Sequence, residues 1–186
     1  MNFKSLFFVL ENFLINFFKP FLSLNIHWAE PLDPTNPDHL LASETVVQFA
    51  LGWFAQPIFV DGTYPSVMRM KIDEKSQAQG FNESRLPSFT HQETIMVAQS
   101  SDFMGINFYT SELVYPVDEG TEEISYYKDD DAELVRDPNW FTTGLDSMRV
   151  TPWAIRSTMS WIKSHFPAVD VYITENGTSD KVGEYF

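Results

Sequence analysis

The chain has 186 residues, 44% of them hydrophobic and 16% aromatic, which is enough for the core of one ordinary domain and too few for two full-sized ones. Its 12 basic and 26 acidic residues give a formal net charge of −14, which repels phosphate backbones and anionic lipids, so we expect no nucleic-acid partner. Cysteine is absent and the four histidines lack metal-ligand spacing. We therefore predict no disulfide, no metal and no cofactor.

Residues 1–21 are a Phe-rich leader with seven phenylalanines and two lysines, and we expect the domain to occupy residues 22–186. The leader superficially resembles a signal peptide, but Glu11 and Asn12 interrupt its apolar run and no small-residue cleavage site follows. It is also too short and interrupted to span a bilayer. Two interpretations stay open, secretion through this segment and a leader without a place in the fold, so the location of the protein stays unknown.

The first structural unit begins where the leader ends. A continuous apolar run predicts a buried strand over residues 21–28, and the prolines and aspartates that follow predict a loop up to Pro37. Asn36 before Pro37 is typical of a helix cap, and the apolar spacing after it predicts a helix that ends at Pro57. A second, more polar helix is predicted over residues 66–79.

The next unit starts at a capping box, Thr90 with Glu93, which predicts a helix that continues over residues 94–100. A second strand is predicted over residues 103–109. Acidic residues then concentrate between Glu112 and Asp137, where ten acidic residues accompany two basic ones. We interpret this stretch as a solvated loop rather than a site for a charged ligand.

The last unit opens with Thr151 and Pro152, which predict a helix that ends before Pro167, and a third apolar strand follows over residues 169–174. Strands that alternate with helices are the pattern of parallel βα packing, so the predicted fold class is α/β. In an α/β barrel, the long connections at the carboxyl ends of the strands are where chemistry is placed.

Four phrases in this order carry a family resemblance: SLN with WAEP at residues 23–31, GINFY at 105–109, TPW at 151–153 and ITENG at 173–177. Together they resemble glycoside hydrolase family 1, the family of β-glucosidases, lactase-type β-galactosidases and myrosinases. The resemblance covers about residues 22–180. It implies part of a TIM (β/α)8 barrel, about three βα units, which this chain alone does not close because such barrels take about 250 residues.

Glu175, at the end of the third predicted strand, is the residue with the strongest chemical argument. A carboxylate directly after a buried strand is held rigidly at a barrel mouth. Retaining glycosidases use such a group to attack the anomeric carbon, with an acid/base carboxyl about 5 Å away. The pattern alone also allows a glutamate that merely begins a loop, whereas the resemblance implies that Glu175 is the nucleophile of an O-glycosyl hydrolase with a β-glycoside substrate.

The resemblance implies three further roles. Tyr109 would donate a hydrogen bond that orients the nucleophile, Asn107 would bind substrate near the catalytic centre, and Trp153 would stack against a sugar. A core aromatic is the alternative for Tyr109, and packing at a helix start is the alternative for Trp153. Glu30 precedes a proline as the family's acid/base does, but its surroundings match the next strand of the barrel, and we interpret it as structural.

The family's acid/base phrase, Asn-Glu-Pro after Thr-Phe, is missing from the sequence. We therefore expect this chain to be inactive alone and expect pairing with a missing barrel half as one way to complete the site. The alternatives are a catalytically inactive sugar-binding or receptor-like family member and a non-functional fragment.

Overall fold

One four-stranded sheet organises the computed structural model, which describes residues 20–180; most of the Phe-rich leader lies outside this range. The strands are β1 (Phe21–Pro31), β2 (Phe103–Pro116), β3 (Ala132–Val135) and β4 (Asp170–Asn176). The central strand, β2, pairs in parallel with β1 on one side and with β4 on the other. The short strand β3 pairs antiparallel with the last four residues of β2.

The three predicted parallel strands are confirmed, and each extends further at its carboxyl end than predicted. The prediction of a loop directly after Trp28 is wrong for residues 29–31, because these residues continue the pairing with β2 up to Val114. The antiparallel strand β3 was not predicted from the sequence, since its four residues lie inside the acidic stretch and carry little apolar pattern.

The helices are α1 (Pro37–Val47), α2 (Trp53–Gln56), α3 (Ser66–Ala78), α4 (His91–Val97) and α5 (Ala154–His165). The predicted cap of α1 is confirmed, since the Asn36 side chain accepts a hydrogen bond from the Asp38 amide at 3.0 Å. The predicted capping box is confirmed too: Thr90 and Glu93 satisfy each other's amides at the start of α4.

The helical path does not end at Pro57 as predicted. Two π-helical turns, Gln48–Gly52 and Pro57–Asp61, flank α2 and carry the chain on to Gly62, which has a left-handed φ of 73°. A proline ring normally clashes with the carbonyl four residues earlier, and it cannot donate the hydrogen bond that an α-helix requires there. Here the path continues past Pro57 as a π turn, which closes with a hydrogen bond from the Gly62 amide to the Pro57 carbonyl at 3.0 Å.

The acidic stretch is ordered, and the prediction of a solvated loop is wrong for its central part. Asp129 pairs with Arg85 at 2.6 Å, and Asp131 pairs with both Lys71 and Lys75 of α3 at 2.8 and 2.5 Å. These basic partners lie 44 to 60 residues earlier in the chain. Local charge counting could not reveal them, because only the tertiary fold brings α3 against this segment.

The main core lies on one face of the sheet, between the strands and helices α1 and α5. Ile26 and Ile106 are 2% and 0% exposed there, and Val47 and Ile162 cover them from the two helices. The opposite face carries Ser23, Asn25, Asn107 and Tyr109, and no described helix packs on it. The sheet is unclosed, since within residues 20–180 both β1 and β4 pair only with β2. No helix in this range is long and apolar enough to cross a membrane.

Candidate active site

The candidate site lies at the carboxyl ends of β2 and β4, on the open face of the sheet. Glu175 is the penultimate residue of β4 and stands in register with Asn107 of β2. The pairing of the two strands shifts just before this point: Ile106 is opposite Ile173, but Asn107 is opposite Glu175. This bulge re-aims the strand, so that the side chains of two consecutive residues, Thr174 and Glu175, both reach partners on the open face.

The phenol of Tyr109 donates a hydrogen bond to Oε2 of Glu175. This bond, followed by partial desolvation and the negative charge of Glu175, raises the pKa of Tyr109 above its ordinary value of 10.0. The phenol therefore keeps its proton at neutral pH and remains a donor. Because it occupies Oε2, it holds the carboxylate in one orientation and leaves Oε1 for other chemistry.

Asn107 is the second predicted site residue that the structure brings to this point. Its Oδ1 contacts two hydroxyls, accepting from Ser23 at 3.0 Å and from Thr174 at 2.6 Å. The amide is thus held from both neighbouring strands. Next to it, Asn176 donates from Nδ2 to the Phe108 carbonyl at 2.8 Å, which ties the end of β4 to β2 directly after Glu175.

Trp153, the third predicted partner, lies directly before α5 with 39% of its surface exposed. Its ring packs edge to face against Trp140, with 5.6 Å between the centroids. The two residues before it, Thr151 and Pro152, line a cavity of about 260 Å³ together with Tyr109 and others, although Trp153 itself does not line this cavity. The structure therefore places Trp153 in the neighbourhood of the site without a contact to Glu175.

A larger cavity, of about 650 Å³, lies further along β1 and β2 and does not include Glu175. Its acidic wall contains Glu112, which approaches His27 at 3.6 Å and Arg136 at 3.3 Å. The close approach of His27, together with the positive charge of Arg136, lowers the pKa of Glu112 despite its partial burial. These pairings give Glu112 a structural role.

Glu30 contacts a tryptophan of its own strand. The indole of Trp28 donates to Glu30 at 2.5 Å, a contact that fits our interpretation of Glu30 as structural. Within residues 20–180, no group of three or more histidine, aspartate or glutamate side chains is arranged to hold a metal ion.

Sequence reasoning missed Ser23, Thr174 and Trp140, which contact the predicted site residues, and Asn176, which binds the backbone of β2 between Asn107 and Tyr109. Ser23 and Thr174 stand inside the phrases that carried the family resemblance, which was a usable signal. Their joint contact with Asn107 depends on strand register, which a single sequence does not reveal.

The chain is similar in sequence to known proteins. The family described as Glycosyl hydrolase family 1 matches residues 21–184. Lactase/phlorizin hydrolase of Rattus norvegicus is 38% identical over 158 residues, which cover 85% of this chain and 8% of that protein. Cytosolic beta-glucosidase of Homo sapiens is 36% identical over 156 residues, 84% of this chain and 33% of that protein.

Solved structures give the fold context. The beta-glucosidase from Trichoderma harzianum matches with a TM-score of 0.73 and 28% identity, covering 90% of this chain and 34% of that one. The chain thus spans about a third or less of the length of these relatives. Because the structural neighbours are TIM-barrel enzymes, the unclosed sheet is part of a TIM (β/α)8 barrel, as predicted. On the match over residues 21–184 and these likenesses, the chain belongs to glycosyl hydrolase family 1.

Proposed function

We propose that this chain carries the nucleophile half of a retaining β-glycosidase site, with Glu175 as the nucleophile and β-glucosides or related β-glycosides as substrates. The observation that carries this proposal is the hydrogen bond from Tyr109 to Glu175 at the carboxyl end of β4. Sheet ends of this kind are where barrels place their catalytic groups. The likeness to lactase/phlorizin hydrolase and cytosolic beta-glucosidase supports the substrate class.

In the proposed reaction, the free Oε1 of Glu175 attacks the anomeric carbon and the glycosidic C–O bond breaks. The departing oxygen takes a proton from a separate general acid, and an ester joins the sugar to Glu175. Water then attacks the anomeric carbon and gives a proton to the same acid group, which now acts as base, while the bond from that carbon to Glu175 breaks and the carboxylate is released. Tyr109 keeps Oε2 occupied through both steps, so the attacking oxygen keeps one direction.

Asn107 and Trp153 contribute binding in this proposal. The Asn107 amide lies in register with Glu175 and can donate to a hydroxyl of the sugar bound there. The exposed face of Trp153 suits the apolar face of a pyranose ring, and Trp140 supports it from the side.

We further propose that this chain alone hydrolyses ordinary glycosides poorly, since the acid/base phrase is missing and general acid catalysis contributes about 10²–10⁴-fold. A polypeptide with the remaining strands of the barrel would complete the site. The outer edges of β1 and β4 are unpaired within residues 20–180, which supports this pairing because unpaired strand edges readily accept another chain. So does an aromatic layer on the open face, in which Phe103 stacks on Phe21 at 4.7 Å and meets Tyr172 at 5.0 Å.

The nucleophile is tested with 2,4-dinitrophenyl 2-deoxy-2-fluoro-β-glucoside. Its dinitrophenolate departs without protonation, so the missing general acid does not matter, and the fluorine slows release of the trapped sugar. We expect mass spectrometry to find the fluoroglucosyl group on the peptide that contains Glu175, and no label in the Glu175→Gln variant. Label on another residue, or no label on the folded chain, would refute the assignment.

Pairing is tested by co-expressing this chain with human cytosolic beta-glucosidase from which the matching segment has been deleted. We expect the two chains to co-purify and to hydrolyse an aryl glucoside, whereas a complex with the Glu175→Gln variant should form but stay inactive. Failure of the chains to associate would contradict the pairing.

A catalytically inactive sugar-binding or receptor-like role is the second candidate, and the missing acid/base phrase favours it. It predicts that the chain binds a β-glucoside by calorimetry but is never labelled by the fluoro sugar. A non-functional fragment, by contrast, would show no cooperative unfolding transition.

A further inference from the structure

Two hydroxyls from strands that are not neighbours meet on the open face of the sheet. Ser23 belongs to β1 and Thr174 to β4, and β2 runs between them. Adjacent strands lie about 4.8 Å apart, so these outer strands are separated by about 10 Å. Nevertheless, Oγ of Ser23 and Oγ1 of Thr174 are only 2.9 Å apart. The two side chains therefore reach toward each other across the intervening strand.

Gly105 makes this meeting possible because it leaves the space above β2 empty. A Cβ atom at this position would stand 3.0 Å from Cγ2 and 3.2 Å from Oγ1 of Thr174. It would also stand 3.3 Å from Cα of Ser23, which belongs to the backbone and cannot swing aside. Any side chain at position 105 would thus crowd both hydroxyl-bearing residues, so glycine leaves the open space above β2 in which they meet.

In this space above Gly105, both hydroxyls contact Oδ1 of Asn107, at 3.0 Å from Ser23 and 2.6 Å from Thr174. A carbonyl oxygen has two acceptor sites, and the two hydroxyls can fill both. Within the described part of the chain, Nδ2 of Asn107 donates no hydrogen bond, so its two protons stay available. A reversed amide would instead place its NH2 group against the two hydroxyls and present its oxygen, an acceptor, in place of the donor.

We propose that Ser23 and Thr174 are positioning residues that fix the amide of Asn107 with its donor group toward the sugar at Glu175, and that Gly105 is the space they require. This inference rests on the proposed role of Glu175. Neither hydroxyl touches the reacting atoms. Their effect passes through Asn107, whose donor would otherwise sample both amide orientations.

The test compares two variants of one residue. Thr174→Val keeps the shape of the side chain against Gly105 and removes the hydroxyl, whereas Thr174→Ser keeps the hydroxyl and removes the methyl group. With the fluoro sugar described above, we expect the Val variant to lower kinact about tenfold and to raise KI, because a misplaced Asn107 donor both misaligns the sugar and weakens its binding. The Ser variant should restore kinact to near the parent value.

Ser23→Ala should resemble Thr174→Val, and the double variant should lose less than the two single losses combined, since both hydroxyls act on one amide. Equal kinact for the Val variant and the parent would overturn the inference while leaving Glu175 as the nucleophile.

A second readout is independent of labelling. The side-chain amide resonance of Asn107 is followed by ¹⁵N NMR in the chain that has not reacted with the fluoro sugar. This resonance should shift in Thr174→Val and return in Thr174→Ser, while the other amide resonances of the sheet stay unchanged. If the fluoro sugar never labels the parent chain, the assignment of Glu175 as nucleophile is refuted. The Asn107 resonance then tests the positioning role of Ser23 and Thr174 by itself. An Asn107 amide resonance that does not shift in Thr174→Val would refute this positioning role.

Discussion

Replacing Asp130 with asparagine should stabilise the protein at neutral pH and not at acid pH. Asp130 is partly buried between Asp129 and Asp131, and its Oδ1 is buried without a hydrogen-bond partner among residues 20–180. Burial is the largest influence on this carboxyl and raises its pKa from 3.8 to about 6, against weaker opposing effects of backbone amides and Lys71.

The size and sign of the effect follow from this pKa. The unfolded chain ionises Asp130 from about pH 4, but the folded protein keeps the proton until about pH 6. The free energy of unfolding therefore falls as pH rises through this window, by about 3 kcal/mol at roughly 1.4 kcal/mol per pKa unit. Asparagine cannot ionise. The Asp130→Asn variant should hence match the parent at pH 4 and exceed its stability at pH 7 by up to about 3 kcal/mol.

Urea unfolding of both proteins at pH 4 and pH 7, followed by tryptophan fluorescence, measures this difference. Asp129→Asn is a matched control because Asp129 is 4% exposed and receives two hydrogen bonds from Arg85, at 2.6 and 3.0 Å. Removing the Asp129 charge leaves the buried guanidinium of Arg85 without its charged partner, which should lower the free energy of unfolding by about 3–5 kcal/mol at pH 7. An Asp130→Asn variant that is no more stable than the parent at pH 7 would show that Asp130 is not held in its acid form by burial.

Three further predictions concern the site, the core and a cap. Glu175→Gln removes the charged acceptor of the Tyr109 phenol, so the pKa of Tyr109 should fall toward 10.0 in an ultraviolet titration, and an unchanged value would mean that the two groups do not interact. Ile106→Ala empties a fully buried position under the sheet and should cost about 2–5 kcal/mol in urea unfolding; a loss well below 1 kcal/mol would contradict the described core. Thr90→Ala deletes the capping box of α4, which should cost about 1 kcal/mol. The backbone amide of residue 90 and the Thr90 hydroxyl both lower the pKa of Glu93, so losing the hydroxyl should move this pKa part of the way back toward 4.5 in an NMR titration. An unchanged pKa of Glu93 would rule out the hydroxyl's contact with it in solution.

Much of the fold was predictable because its signals are local. The three parallel strands are continuous apolar runs, and the caps at Asn36 and Thr90 depend on residues within one turn of the helix start. The path through Pro57 was not predictable in the same way, since the cost of a proline depends on whether the surrounding turns widen, and packing decides that.

The ion pairs of the acidic segment belong to the unpredictable part as well. Asp131 accepts from Lys75, 56 residues earlier, and nothing in the charge pattern selects that partner from the other basic residues. The same holds for β3, whose pairing with β2 orders residues that look like solvent-exposed loop.

For the site, the sequence by itself determined that a carboxylate, Glu175, stands at the end of an apolar strand, and the order of four phrases indicated the family. Only the tertiary structure decided how the neighbours are arranged. The bulge before Asn107 aims Thr174 and Glu175 at the open face, and the gap above Gly105 lets Ser23 and Thr174 meet. The physical reason is range: strand propensity acts over a few residues, whereas register and contact across a sheet join side chains up to 151 residues apart.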